Sequence, residues 1–300
     1  MQDTVKNWLN EWLEVYVKPC RRENTYECYK YIIRIILKLR PELSNLSLDE
    51  IVEMYIQKLL NEAATSYSKS TIKKISTIFR AAYNAALRNK KCSGNPATAL
   101  KIPEASVKEV NPLTKEEERI VIEAAKKDVL GDICLFFFAT GIRAGELRNL
   151  KWDDYSKEKK EIYIRSSKTK KGIRMIPLTQ EAIDIIERQP HICEYVFTST
   201  KGRPVTKTVE RKLYERLRKA TGINNITNHV YRHTFATRAV EEDMNTKALA
   251  AIMGHESEAF TLKQYTKAQD EFLHTQMDRM ESPPTKKAIH VQLIRVRRHK

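Results

Sequence analysis

The chain has 300 residues, 41% of them hydrophobic and 31% charged, a balance that supports packed cores and excludes wholesale disorder. The longest apolar run, 133–139, falls far short of the roughly 18 residues of a membrane-spanning helix, and no apolar stretch follows residues 1–6, so neither a span nor a signal peptide is expected. Lys and Arg number 54 against 38 Asp and Glu; the net +16 is shared as +6 in the first hundred residues and +10 in the rest, so both halves suit a polyanion such as DNA or RNA.

At roughly 150 residues per domain, two domains are expected. Cys20, Cys28, Cys92, Cys134 and Cys193 form no CxxC pair, and five is odd. That pattern fits free thiols in a reducing cytoplasm and offers no zinc spacing.

The first hundred residues read as helices. Trp8, Leu9, Trp12, Leu13 and Tyr16 recur at spacings of three and four, and Tyr29, Ile32, Ile33, Ile36 and Leu37 repeat the pattern over 26–39. Ser47 before Leu48-Asp49-Glu50 predicts an N-cap with an acidic first turn, opening a helix that runs to about Glu62. A fourth helix from about Ser68 carries Ile72, Ile75, Phe79, Ala82 and Leu87 on one face. Its other face shows Lys69, Lys73, Lys74, Arg80 and Arg88, which could lie against phosphates or simply face solvent. Gly94-Asn95-Pro96 is a helix stop, and 101–112, with two prolines and little periodicity, reads as a linker.

A mixed region follows. Thr114 with Glu117 is a capping box. Helices are expected at 115–127, 131–139, 144–150, 179–188, 206–219, 229–241, 246–253 and 258–266. Segments 162–165 and 174–177 read as a hairpin with a lysine-rich turn, and 195–197 as a further strand. The fold class is therefore mainly α with a small antiparallel β-sheet. The tail 281–300 is basic and could be a flexible arm or a final strand.

Three clusters carry chemistry. In Ala139-Thr140-Gly141-Ile142-Arg143-Ala144-Gly145-Glu146-Leu147, a Gly turn places Arg143 at a helix start. A cation near the positive end of a helix dipole makes sense with an anion between them; alternatively Arg143 caps the turn or pairs with Glu146. In His229-Val230-Tyr231-Arg232-His233, His229 and Arg232 share a helical face. His229 and His233 have the i, i+4 spacing of a zinc pair, but no HExxH pattern or cysteine neighbour supports it, and a structural role is preferred. Met253-Gly254-His255 is followed ten residues after the histidine by Tyr265 in Gln264-Tyr265-Thr266.

Taken in this order, these clusters resemble the tyrosine recombinase family, the lambda integrase-like and Xer-like enzymes, whose signature is Arg, Lys, His-x-x-Arg, His and Tyr. The resemblance covers nearly the whole chain and is closest in flavour to phage and conjugative-transposon integrases. It implies a two-domain DNA clamp: a helical, SAM-like core-binding domain at 1–100, a linker at 101–112, a catalytic domain at 113–280 and a basic tail at 281–300. Arg143 and Arg232 would clamp the scissile phosphate and His255 would add a hydrogen bond. His229 would assist proton transfer, and Tyr265 would attack phosphorus to form a 3′-phosphotyrosyl link. A hairpin lysine would protonate the leaving 5′-oxygen; Lys168 is the best placed, with Lys170 and Lys171 as rivals. Lys69, Lys73, Lys74 and Arg80 are the candidate DNA contacts.

The residue types suit that chemistry. Oxygens that gain negative charge in the transition state need fixed cationic forks, and lysine substitutes poorly for them. A phenol with a pKa of about 10 needs a proton acceptor and a cationic pocket. The leaving alkoxide needs an acid, worth roughly 10²–10⁴-fold. The covalent link conserves the phosphodiester energy, so no cofactor, metal or ATP is expected, and no P-loop occurs in the sequence.

The expected activity is site-specific recombination through a Holliday junction, mobilising a phage or transposon. Four protomers would act on two double-stranded DNA sites, with the segment carrying Phe272, Leu273, Met277 and Met280 docking in trans. The expected location is the cytoplasm, at the nucleoid. Type IB topoisomerase-like relaxation and a non-catalytic DNA-binding relative are the alternatives. Three departures from the family pattern stand out. Tyr231 replaces a usual leucine at a position normally given to apolar packing; Tyr can pack there too, but it brings a second phenol near the site. The His255-to-Tyr265 spacing is one residue longer than in the Xer branch. The chain opens on core-binding helices with no arm-binding domain, as in a simple recombinase or a fragment of a larger integrase.

Overall fold

A computed structural model describes residues 4–105, 110–165 and 172–254. The chain divides into two compact units, Met1–Glu109 and Val110–Lys300. No described helix is long and apolar enough to cross a membrane.

Among the described residues, the first unit holds four α-helices. In α1 (Val5–Trp12) the Thr4 hydroxyl accepts from the Asn7 amide at 3.3 Å, and Val5, Trp8, Leu9 and Trp12 face inward. A π-helical turn, Leu13–Val17, follows. In α2 (Glu23–Leu39), Tyr29 stacks on Trp12 with centroids 6.1 Å apart. α3 spans Glu53–Ser66, and α4 (Lys69–Arg88) is capped by Ser68. Long-range hydrogen bonds tie α4 to the rest, among them Trp8 Nε1 donating to the Ala82 carbonyl at 2.9 Å and the Tyr83 hydroxyl to Leu48 at 3.2 Å.

The helix expected from Ser47 to Glu62 is interrupted. The Ser47 cap closes on Glu50, but only a 3₁₀ turn, Leu48–Glu50, forms behind it. Ile51 and Val52 are extended, and α3 starts afresh at Glu53. Two adjacent β-branched residues favour the extended form. The break buries Ile51 while leaving Val52 in solvent.

In the second unit the Thr114–Glu117 capping box opens α5 (Lys115–Lys126) as expected. The turn into α6 needs Gly131, because a β-carbon there would lie 1.7 Å from the Ala125 carbonyl oxygen. α6 (Asp132–Thr140) is apolar nearly all round and buries Ile133, Cys134, Leu135, Phe136 and Phe137. A helix apolar on all sides belongs at the centre of a unit. After α7 (Ala144–Arg148) come β1 (Tyr155–Ser156), β2 (Glu161–Ile164) and β3 (Arg174–Pro177), an antiparallel meander in the order β1-β2-β3. Ile162 pairs with Ile176 and Ile164 with Arg174. Helices α8 (Gln180–Glu187), α9 (Lys207–Thr221), α10 (Asn228–Glu241) and α11 (Thr246–Met253) complete the described part, with α10 packed on α6.

Two strand expectations change. β1 is an additional strand, too short to show periodicity. Segment 195–197 forms no strand but one bridge, Tyr195 to Lys151, with the Val196 amide donating to Leu150. The helix expected at 258–266 and the basic tail lie outside the described residues.

Candidate catalytic site

The site is assembled where α6 ends, α7 begins, α10 passes and α11 stops. Gly141 ends α6 in the left-handed region, at φ +59°, and a β-carbon there would drive into the Phe235 ring at 2.3 Å. The turn delivers Arg143 as the N-cap of α7. Its amide donates to Glu146 Oε2 at 3.0 Å, its Nη1 to Glu146 Oε1 at 2.9 Å, and its Nη2 to the Gly254 carbonyl at 2.6 Å. The Arg143 side chain keeps 37% of its surface open to solvent. Pairing with Glu146 and availability for an anion, alternatives in the sequence, therefore coexist.

Arg232, on α10, is buried. Its two terminal nitrogens donate to the Gly141 and Met253 carbonyls, both at 2.5 Å. α10 starts at a Thr227 cap and puts His229 in its exposed first turn, one turn before Arg232. His233, a turn after His229, is partly buried. Burial, then the neighbouring His229 and Arg232, lower its pKa. Among the described residues no group of three or more His, Cys, Asp or Glu side chains could hold a metal ion.

The second phenol is not at the surface of this site. Tyr231 is fully buried, packed on Phe137, Phe138 and Tyr214 with centroids 6.1, 4.6 and 5.8 Å away. Burial, with Cys134 beside it, holds its pKa well above the ordinary phenol range. At this position Tyr fills the core where the family's leucine would.

One residue was missed from the sequence. Arg174, at the start of β3, donates through Nε to the Ile252 carbonyl at 2.6 Å. Its Nη1 donates to Glu146 Oε1 and to the Gly172 carbonyl, and its Nη2 to Glu146 Oε2, all at 2.9 Å. The signal was the strand period: Arg174 and Ile176 are two apart and share a face, and Ile176 is fully buried. An arginine on an inward strand face requires a partner inside. That partner is Glu146, whose side chain is 6% exposed. Burial alone would raise its carboxyl pKa. Hydrogen bonding and charge from Arg174, then bonds from Arg143, hold it below the ordinary range.

Three guanidiniums thus meet the C-terminus of α11. Arg174 takes Ile252, Arg232 takes Met253 and Arg143 takes Gly254. Helix C-terminal carbonyls lack intrahelical donors and carry the negative end of the dipole, so cations belong there. Gly254 is left-handed at φ +63°, and a β-carbon on it would lie 3.0 Å from Arg143 Nη1 and 3.0 Å from Arg174 Cδ. It immediately precedes His255. His255, Tyr265 and the hairpin lysines Lys168, Lys170 and Lys171 fall outside the described residues.

On the first unit, Lys69, Lys73 and Lys74 line a shallow depression with Ser70 and Thr77 on the exposed side of α4. Spacings of four along α4 keep Lys69, Lys73 and Thr77 in one row. Arg80, grouped with them from the sequence, donates through Nε to the Ala97 carbonyl at 3.2 Å, and does not line this depression.

Comparison with known families matches residues 108–271, more than half of the chain, to the phage integrase family, and residues 4–64 to the phage integrase N-terminal SAM-like domain. A XerC-like tyrosine recombinase of Caldanaerobacter subterraneus is 26% identical, over 88% of this chain and 79% of that protein. The tyrosine recombinase XerA of Pyrococcus furiosus is 34% identical over 56% of this chain and 60% of its own. Two solved structures share the fold. One is a Tn1549 transposon integrase with circular intermediate DNA, with TM-score 0.72 and 22% identity over 91% of this chain and 99% of that one. The other is a lambda integrase tetramer bound to a Holliday junction, with TM-score 0.73 and 22% identity over 90% of this chain and 80% of that one.

Proposed function

Because the chain belongs to the phage integrase family, we propose that it is a site-specific DNA recombinase that cuts and rejoins strands through a covalent tyrosyl intermediate. The observation that carries this reading is the pair Arg143 and Arg232. They are 89 positions apart in the sequence, yet both are anchored on the last carbonyls of α11. Such anchoring fixes two planar cationic forks before substrate arrives, the preorganisation that stabilises charge developing on a phosphoryl group.

In this mechanism Arg143 and Arg232 hold the non-bridging oxygens and His255 adds a hydrogen bond. The Tyr265 oxygen attacks phosphorus in line, its proton passing to His229. The P–O bond to the 5′-oxygen breaks, and that oxygen takes a proton from Lys168, with Lys170 and Lys171 as the alternatives. The 3′-phosphotyrosyl link is then attacked by a 5′-hydroxyl of another strand, which regenerates the phenol. Bond energy is conserved throughout.

The same reading assigns 1–100 to core binding, 101–112 to a linker, 113–280 to catalysis and 281–300 to a basic tail. Lys69, Lys73 and Lys74 would contact backbone phosphates, with Arg80 a weaker candidate because it is engaged with Ala97. Four protomers would act on two duplex sites through a Holliday junction, each C-terminal segment docking on a neighbour. The lambda integrase structure on such a junction supports that assembly by analogy of fold. Likeness to the Tn1549 transposon integrase favours a mobile-element role. The proposed place of action is the cytoplasm, at the nucleoid.

The test is incubation with nicked suicide duplexes drawn from a random library, read on denaturing gels. A slow-migrating covalent adduct is expected from the parent chain and none from Tyr265→Phe. An adduct that survives Tyr265→Phe would refute the assignment. Exchange of strands between two duplexes, rather than relaxation of supercoils alone, would separate a recombinase from a topoisomerase.

A further inference from the structure

We infer that Arg174 is a positioning residue for strand cleavage, acting through Glu146 to leave Arg143 with uncompensated positive charge at the scissile phosphate. The inference rests on the recombinase reading above. Arg174 itself does not reach substrate: its side chain is 7% exposed, and four of its five N–H donors are spent on Glu146, Gly172 and Ile252.

The charge count is what matters. Glu146 accepts from Arg143 through both the amide and the guanidinium. A lone carboxylate in that position would cancel the Arg143 charge, and screening is weak around a group so buried. Both Glu146 oxygens also accept from Arg174 as a parallel fork, the strongest geometry for such a pair. One carboxylate shared by two guanidiniums leaves the trio at +1. The remaining charge is presented on Arg143, whose side chain, at 37% exposed, is the open member. Glu146 can therefore orient Arg143 without neutralising it.

Arg174 also touches three described segments. It begins β3, bonds Gly172, which follows the lysine-rich stretch in the sequence, and bonds Ile252, three residues before His255 in the sequence. A lysine has one nitrogen and cannot span those acceptors as a fork, though it keeps the charge.

Adduct formation on nicked duplexes is compared for the parent chain, Arg174→Gln, Arg174→Lys and Arg174→Gln combined with Glu146→Gln. Thermal unfolding and gel shifts check folding and DNA binding. Arg174→Gln is expected to slow cleavage about 10²-fold. Glu146→Gln in that background should recover about tenfold or more, because it removes the unbalanced negative charge. Arg174→Lys should lie between the parent and Arg174→Gln. On a duplex with an uncharged methylphosphonate at the scissile position, the gap between parent and Arg174→Gln should narrow.

A double variant no faster than Arg174→Gln, with an unchanged gap on methylphosphonate, would overturn the inference and leave Arg174 a packing residue. If Arg174→Gln fails to fold, Arg174→Lys decides: a loss equal on both duplexes and as large as that of Arg143→Ala overturns it. A parent chain that forms no adduct would defeat the recombinase reading and this inference with it; an active parent with unresponsive variants defeats the inference alone.

Discussion

The two units bury different kinds of surface. Among the described residues, the first unit buries one polar side chain, Ser76, beneath an otherwise apolar core. The second buries Thr140, Glu146, Thr198, Glu210, Arg232 and Thr234. Burying a charge is costly unless it is paired and hydrogen-bonded. The second unit meets that cost by pairing: Arg232 with the Gly141 and Met253 carbonyls, Glu146 with Arg143 and Arg174, and Glu210 with Arg148. The first unit keeps its cations outside, on α4, where water solvates them. Under the proposed function the contrast would separate two tasks on one polyanion: an exposed cation would attract DNA, and a buried, over-determined cation would hold a reacting phosphate in fixed geometry.

If that contrast is right, substitutions in the two units should fail in different ways. Arg232→Ala should cause the largest loss, about 3–4 kcal/mol of transition-state stabilisation in single-turnover cleavage. It should also lower thermal stability, because the Gly141 and Met253 carbonyls lose their donor. Arg143→Ala should match it in cleavage with a smaller stability loss, its side chain being partly exposed. A mild cleavage defect in both would erase the distinction.

Leu59→Ala removes a fully buried side chain of α3 and should cost about 2–5 kcal/mol in urea unfolding. Cleavage at saturating DNA and moderate temperature should stay near the parent rate. A cleavage loss as deep as that of Arg143→Ala would show that the cores are not separable in function.

Gly254→Ala strains a left-handed position by about 1–2 kcal/mol and crowds both Arg143 and Arg174. We expect cleavage to fall about tenfold with DNA affinity retained. Unchanged cleavage would mean that α11 does not set the arginine geometry.

Lys73→Gln and Lys74→Gln should have smaller effects, each reducing the slope of log affinity against log salt by about 0.9. Cleavage of bound DNA should not change. Arg80→Gln should alter the slope less, since Arg80 is engaged with Ala97. Equal slopes for all three would return Arg80 to the DNA face.

A pH effect should be smaller still. The folded pKa of His233 lies below its ordinary 6.5, mainly through burial. The unfolded chain therefore binds more protons as pH falls through about 6.5, and stability declines on the acid side. His233→Gln should flatten that part of a stability–pH profile.

Several helices were legible from periodicity or a cap: Thr114 with Glu117 at α5, Ser68 before α4, and Thr227 two residues before the predicted start of α10. What escaped was governed by contacts across the chain. The break at Ile51-Val52 depends on Ile51 reaching the core, which helix propensity alone does not encode. Strand β1 is two residues long and exists only by pairing with β2. Segment 195–197 looked like a strand because buried extended chain and true strand share apolar composition. For Tyr231 the sequence left two readings open, packing or a second phenol near the site, because proximity in sequence to Arg232 says nothing of its side; on α10 it points into the core. Arg143 and Arg232 were legible from the resemblance, but their shared anchor at α11 was not, since carbonyl partners leave no mark in a sequence. Arg174 left a mark in its strand period, readable only once β3 has an inward face.

The central claim is that Tyr265 joins this protein covalently to DNA, and it can be read directly. A trapped adduct would be digested with nuclease and protease, and the nucleotide-bearing peptide located by mass spectrometry. The account predicts a 3′-phosphonucleotide on Tyr265, lost from the peptide of Tyr265→Phe. A nucleotide carried by any other residue, or DNA cut without a covalent protein intermediate, would contradict it.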